Sequence, residues 1–386
     1  MSLLRTPPLP PLVQQLLLVL HDPREALRLD GPVWDRLLRA ARSARLLGRV
    51  AATLEKRDLL ASVPQPVRDL LDGERNRAAY YEQAVRFELA CVERALVGIE
   101  TPIVLLKGAA YVTEGLELAR GRALGDVDFM VPRRNLDAVE ARLLEQGWKF
   151  AKTDPYDQHY YRAWSHELPS MRMPEHALDL DLHHAILPVK GRITPDPDKL
   201  FAAARPLAGS RWHALAPADQ ILHAAAHLFQ DGECWNALRD LHDLDQLMRA
   251  QLQRDAHFAT TLLTRADELG MRRPLGYATR FLDAWFATPL PLEVTARCKP
   301  SLMSVPGVAL VTWCAARTLP PVDPDAQAGT TQRLARRVLA LRAPWLRMPP
   351  WLFAYHASRK GLRTLEARRS RRSRDGAGTA RTAGAP

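Results

Sequence analysis

Asp126 and Asp128 stand two residues apart in the run Gly-Asp-Val-Asp-Phe-Met-Val, which begins at Gly125. Apolar residues surround them, and the run reads as a strand. Residues two apart in a strand share a face. Both carboxylates therefore point one way, while Val127, Phe129 and Val131 point the other. Two acids this close repel and raise one another's pKa. A cation between them relieves that repulsion. Oxygen ligands, with no Cys or His cluster on the strand, suit a hard ion such as Mg2+ or Mn2+.

A second acidic strand repeats the pattern. Asp179, Asp181 and His183 alternate with Leu178, Leu180 and Leu182. If the two strands are neighbours, Asp181 completes a group of three carboxylates. Asp179 lies on the same face and is its rival. Such a group can hold two metals, one activating an attacking hydroxyl and one clamping a triphosphate. His183 is expected to hydrogen-bond a carboxylate rather than to ligate directly.

Upstream, Leu-Leu-Lys-Gly-Ala-Ala ends a short apolar strand and opens a helix. Amides at a helix start attract phosphate, and Gly108 permits close backbone approach. Lys107 and Arg122 supply positive charge, Arg122 four residues before Asp126. His223 and His227 are separated by three alanines, without the glutamate of a zinc-protease helix. They read as packing histidines. Arg239, Asp240 and Asp243 are expected either to bond to them across helices or to line the cleft.

The order of these parts resembles the polymerase-beta-like nucleotidyltransferase superfamily. More closely, the chain resembles a bacterial nucleotidyltransferase family marked by Leu106-Lys107-Gly108, by Arg122, by Gly125-Asp126-Val127-Asp128 and by Asp181-Leu182-His183. The resemblance covers about residues 85 to 250 and includes the helices "ILHAAAHLF" and "LRDLHDLDQL". It implies a catalytic and metal-binding set of Asp126, Asp128 and Asp181. It also implies an NTP held by Lys107, Gly108 and Arg122, and transfer of an NMP to an acceptor hydroxyl with release of pyrophosphate. One departure stands out. The superfamily turn usually reads Gly-Ser or Gly-Gly, and its Ser helps to hold the triphosphate; here it is Gly108-Ala109. A catalytically silent nucleotide-binding protein of the same fold is therefore one alternative. A toxin-like transferase acting on RNA is another, supported only by the basic tail.

These residues need a frame. The expected fold class is α/β (α+β), a polymerase-beta-like core with a mixed sheet between two helical regions. Residues 1–98 show apolar spacings of three and four, the period of amphipathic helices. Residues 99–190 carry the strands "PIVLLK", "DVDFMV", "WKFAK", "QHYYRAW" and "ALDLDLHHAIL". Among them lies a helix with Pro132 in its first turn and Gly147 at its end. Residues 191–366 return to helical periodicity. Residues 367–386 are small, polar and basic and are expected to be disordered.

Composition narrows the classes. The chain has 386 residues, 47% hydrophobic and 25% charged, as in soluble globular proteins. No stretch is long and apolar enough to span a membrane, and no signal peptide is legible. Cys91, Cys234, Cys298 and Cys314 are far apart, so neither a zinc ribbon nor a disulfide framework is indicated. A reducing cytoplasm fits. The net charge is +11, but from Arg359 onward nine Lys/Arg face only Glu366 and Asp375. The high pI therefore belongs largely to the tail, which offers a contact for an anionic surface or nucleic acid. The acceptor, whether small molecule, protein or RNA, is not legible.

Overall fold

The computed structural model describes residues 5–230, 235–355 and 358. The expected disordered tail, 367–386, lies outside these residues.

A seven-stranded mixed sheet forms the centre, in the order β3-β4-β5-β2-β1-β7-β6. Its strands are β1 (Ile103–Leu105), β2 (Asp126–Met130), β3 (Lys149–Phe150), β4 (Met171–Arg172), β5 (Asp179–His183), β6 (Arg205–Pro206) and β7 (Trp212–Ala214). β2 and β5, far apart in sequence, pair parallel and side by side. β1 is antiparallel to β2 and parallel to β7. The sheet thus continues past residue 190 through β6 and β7.

Both acidic strands bury one face completely. Val127, Phe129, Leu180 and Leu182 have no exposed surface. They belong to a large apolar core that also takes Leu222, Leu244 and Phe281 from the helices Pro217–Gln230, Leu238–Arg254 and Arg272–Phe286. Burying four such side chains contributes on the order of 1.5–3 kcal/mol each. A one-residue slip would forfeit this gain and push the carboxylates into the core, so the apolar face fixes where the polar face looks.

The N-terminal helices build a second apolar core around Trp34, Leu37 and Leu54, joined by Leu238. Its link to the sheet passes through two glycines. Gly121 has φ +71°, and a Cβ there would lie 2.2 Å from the carbonyl oxygen of Gly48. Only glycine allows these backbones to meet. Beside them, Arg49 donates to the carbonyls of Arg120, at 2.9 Å, and Leu118. The N-terminal region therefore holds the loop that leads into β2.

One expected strand is a helix. "QHYYRAW" lies inside the helix Pro155–Trp164. Its aromatic residues favour strands, but the Asp154 side chain accepts from the amides of Tyr156 and Asp157, and Pro155 occupies the first turn. These are strong helix-start signals. Tyr160 and Trp164, four apart, then pack edge to face on one helix side. The other expected helix in this region begins at Leu136, after a short 3-10 turn over Arg133–Asn135, and ends before Gly147, which has φ +108°.

Candidate active site

The register sets the site. Asp126 lies opposite Asp179, Asp128 opposite Asp181, and Met130 opposite His183. Paired residues of neighbouring strands share a face, so all four aspartates emerge together. Asp126, Asp128 and Asp181 converge, with one oxygen of each within 4.8 Å of the others. Asp179 does not join them. Arg172, on the neighbouring β4, donates to its carboxylate at 2.5 Å. Asp181 is therefore the acid that closes the group.

The three carboxyls differ in charge preference. Lost solvation, then the charges of Asp128 and Asp181, push Asp126 up to about 6. Burial and Asp128 push Asp181 up to about 6 as well, against the lowering effect of Ser170. Asp128 goes the other way. Burial alone would raise it, but Lys107 and a hydrogen bond with His183 hold it below the usual carboxylate range. Lys107 Nζ is 3.9 Å from Asp128 Oδ1, and His183 Nε2 is 3.0 Å from the same oxygen. Crowded acids with raised pKa values are a site short of positive charge. An all-oxygen donor set of this kind fits a hard divalent cation.

Lys107 reaches Asp128 from a strained position. Its φ is +43°, a left-handed conformation that costs a side-chain-bearing residue roughly 1–2 kcal/mol. One residue, Leu106, separates it from β1, and it opens the short helix Lys107–Thr113. Such strain persists where the surrounding structure imposes it, often at functional sites. Gly108 is fitted closely: a Cβ there would meet Leu124 Cδ2 at 2.2 Å. Ala109 is 1% exposed and packs into the core.

Sequence reasoning missed a third segment. Glu167 bridges antiparallel to His183, and Leu168 N donates to Leu182 O at 2.9 Å. This places Ser170 Oγ on the carboxylate of Asp181 and Glu167 Oε2 3.4 Å from His183 Nε2. His166, Glu167 and His183 form a second group with metal-ligand spacing. No periodic pattern in "SHELPS" marks this loop, and its place beside β5 depends on a long-range pairing.

His223 and His227 also face this cluster. Their rings are 6.5 Å apart. Burial, then the charges of Lys107, His227 and His183, hold His223 well below an ordinary histidine, in its neutral form. The helix that packs them thus presents them to the site. Arg239, Asp240 and Asp243 join a network of ion pairs with Arg49 and Arg122. Among the described residues, Asp243 pairs with Arg122 and, at 3.1 Å, with Arg49, while Asp240 takes Arg239 at 2.6 Å. Arg122, expected at a phosphate, is committed to this buried network and lies over the Tyr111 ring at 5.7 Å. Burial, then the charge of Arg239, pull it down to about 10. Its charge acts on Asp126 less than that of Lys107 does.

A mixed sheet flanked by helices, with three carboxylates on the open face of adjacent parallel strands, is an α+β nucleotidyltransferase-like fold. The chain belongs to the family described as "Uncharacterised nucleotidyltransferase", whose model matches residues 30–287. That span takes in part of the N-terminal helices, the whole sheet and the helices carrying His223 and Asp243. No curated protein and no solved structure matches the chain. Among the described residues, no helix is long and apolar enough to cross a membrane.

Proposed function

We propose that the protein transfers a nucleoside monophosphate from an NTP to an acceptor hydroxyl. The observation that carries this reading is the convergence of Asp126, Asp128 and Asp181 within 4.8 Å, in a chain of a nucleotidyltransferase family. The three carboxylates would hold Mg2+ or Mn2+, which would neutralise the phosphates and lower the pKa of the acceptor hydroxyl. Asp181, hydrogen-bonded by Ser170, would also take the acceptor proton. The acceptor oxygen bonds to the α-phosphorus, and the bond from that phosphorus to the bridging oxygen breaks. Pyrophosphate leaves with the electron pair. His183 keeps Asp128 ionised and oriented, Ser170 orients Asp181, and Lys107 offers charge to the phosphates. Arg122 and Gly108 shape the turn and loop that position them. Most of the stabilisation is positional and electrostatic.

One observation favours a second reading, a nucleotide-binding protein without transfer. Ala109 supplies no hydroxyl for the triphosphate, and its side chain is buried. Incubating the protein and cell lysate with each α-labelled NTP and Mg2+ or Mn2+ separates the two. Transfer predicts labelled acceptor and free pyrophosphate, lost by more than about 10²-fold in Asp126→Asn/Asp128→Asn, the scale of one electrostatic stabiliser. Nucleotide binding without pyrophosphate release would establish the second reading. Undiminished labelling in the double variant would remove these carboxylates from the reaction.

A further inference from the structure

A separate cleft, with an arginine-rich lining, opens at the end of the helix that carries His223 and His227. Gln230 ends that helix, three residues past His227, or roughly 4.5 Å of helical rise. The cleft has a volume of about 90 Å³ and is lined by Arg192, Arg273 and Arg342, with Gln230 and Tyr277. That is well above the roughly 10–15 Å³ that one water needs. Among the described residues, no carboxylate lines it.

The arginines are arranged rather than merely gathered. Arg192 lies 4.1 Å over the Trp345 ring, and its Nε donates to Trp345 O at 3.0 Å. Arg342 lies over Tyr277 and donates through Nη1 to Phe229 O at 2.6 Å. Each is held by an aromatic face and a carbonyl, which leaves its net charge in place. Arg273 is exposed and pairs with no carboxylate among the described residues. Gln230 provides the independent observation. It is only 7% exposed, and its Nε2 is buried without a hydrogen-bond partner among the described residues. A buried donor left unpaired costs about 1–3 kcal/mol, a cost that an acceptor in the cleft would remove.

We propose that this cleft binds a phosphate-bearing small molecule, separately from the metal centre. Three arginines and an amide donor, with no acid among the described residues, match a group with at least two negative charges and several acceptor oxygens. A singly charged carboxylate would leave the cleft uncompensated. The inference does not depend on nucleotidyl transfer, because none of these residues belongs to the carboxylate site.

The test is calorimetric titration of the full chain in EDTA at constant ionic strength. Inorganic phosphate, pyrophosphate and a sugar phosphate are used in separate runs, with acetate as control. The expected result is saturable one-to-one binding of at least one phosphate species, and the tightest of them identifies the source. Arg273→Ala and Gln230→Leu should each weaken it by about tenfold or more, the scale of a hydrogen bond to a charged group. Neither is a folding risk: Arg273 is exposed, and Gln230→Leu removes an unpaired buried amide. Asp126→Asn/Asp128→Asn should leave the affinity within about twofold, as for independent sites. Absence of binding, equal binding of acetate, unchanged affinity in both cleft variants, or loss in the aspartate variant would each overturn the proposal.

Discussion

His183 Nε2 lies 3.0 Å from Asp128 Oδ1, across the parallel pair β2 and β5. The two are not direct register partners: Asp128 stands opposite Asp181, and His183 opposite Met130. The imidazole therefore leans two register positions back along the sheet toward the carboxylate. Both groups are buried. Burial lowers the His183 pKa, but the bond to Asp128 and the charge of Glu167 outweigh it and raise the pKa above its ordinary value. Each partner favours the charged form of the other.

This pairing makes His183 a positioning residue for Asp128. His183→Ala should leave Asp128 buried and less well oriented. Divalent-metal affinity should then fall by about 10–100-fold, the usual loss when the partner of a metal ligand is removed. His183→Asn should recover part of it. Calorimetric metal titration of both variants is the check, and wild-type affinity in His183→Ala would show that the bond has no role in the site.

The pH response of the metal-free protein follows from Asp126 and Asp181. Both are pushed up to about 6 in the fold, against about 3.9 for an unfolded aspartate. The folded state keeps these protons longer. Their contribution to stability is thus fully present below about 4 and is lost as pH rises through about 6. Neutral buried His166 and His223 act in the opposite direction. The effect must therefore be read as the difference between wild type and Asp126→Asn/Asp181→Asn. In EDTA the melting temperature of the variant should gain on wild type between pH 4 and about 6. Mg2+ should remove that gap at pH 7. A constant difference across this range would mean that the two carboxyls do not crowd one another.

Much of the site was legible because strand periodicity is local. Asp126 and Asp128 needed only a period of two and an apolar opposite face. What was not legible depended on long-range placement. Asp179 and Asp181 share a strand face, and only the presence of Arg172 on β4 separates them. Arg122 reads as a free cation until the helix Leu238–Arg254 brings Asp240 and Asp243 to it. Glu167 and Ser170 enter through a loop whose sequence has no period. The helix Pro155–Trp164 misled in another way. Its aromatic content suggests a strand and its Asp154-Pro155 start a helix; capping acts directly on the backbone, whereas aromatic strand preference depends on packing partners.

The Gly48–Gly121 contact predicts a stability defect far from the carboxylates. A Cβ at Gly121 would meet the Gly48 carbonyl at 2.2 Å and would also have to adopt φ +71°. The clash is with backbone on both sides, so no rotamer relieves it. Gly121→Ala should cost at least about 2 kcal/mol, combining the left-handed penalty with overpacking. Gly48→Ala should be similarly harmful, because its Cβ would lie 2.3 Å from Gly121 O. Urea unfolding midpoints test this. Unchanged midpoints in both variants would mean that the N-terminal region does not pack here.

Gly108 makes a different kind of contact, and the difference can be measured. Its Cβ would strike Leu124 Cδ2 at 2.2 Å, the end of a side chain rather than a backbone. Leu124 can move, but it is 5% exposed and belongs to the main core. Gly108→Ala should therefore cost about 1–3 kcal/mol, as overpacking does. Leu124→Ala should cost about 2–5 kcal/mol, as a buried leucine truncation does. Together they should cost less than the sum, because the new methyl occupies space that the leucine vacates, and residues in contact couple by about 0.5–3 kcal/mol. A double-mutant cycle in urea gives the coupling directly. Strict additivity would show that Leu124 does not pack against the turn. The same cycle run on divalent-metal affinity separates stability from function. Because Lys107 precedes Gly108 and carries the charge nearest Asp128 on this turn, Gly108→Ala should weaken metal binding or nucleotide binding even after Leu124→Ala has restored part of the stability.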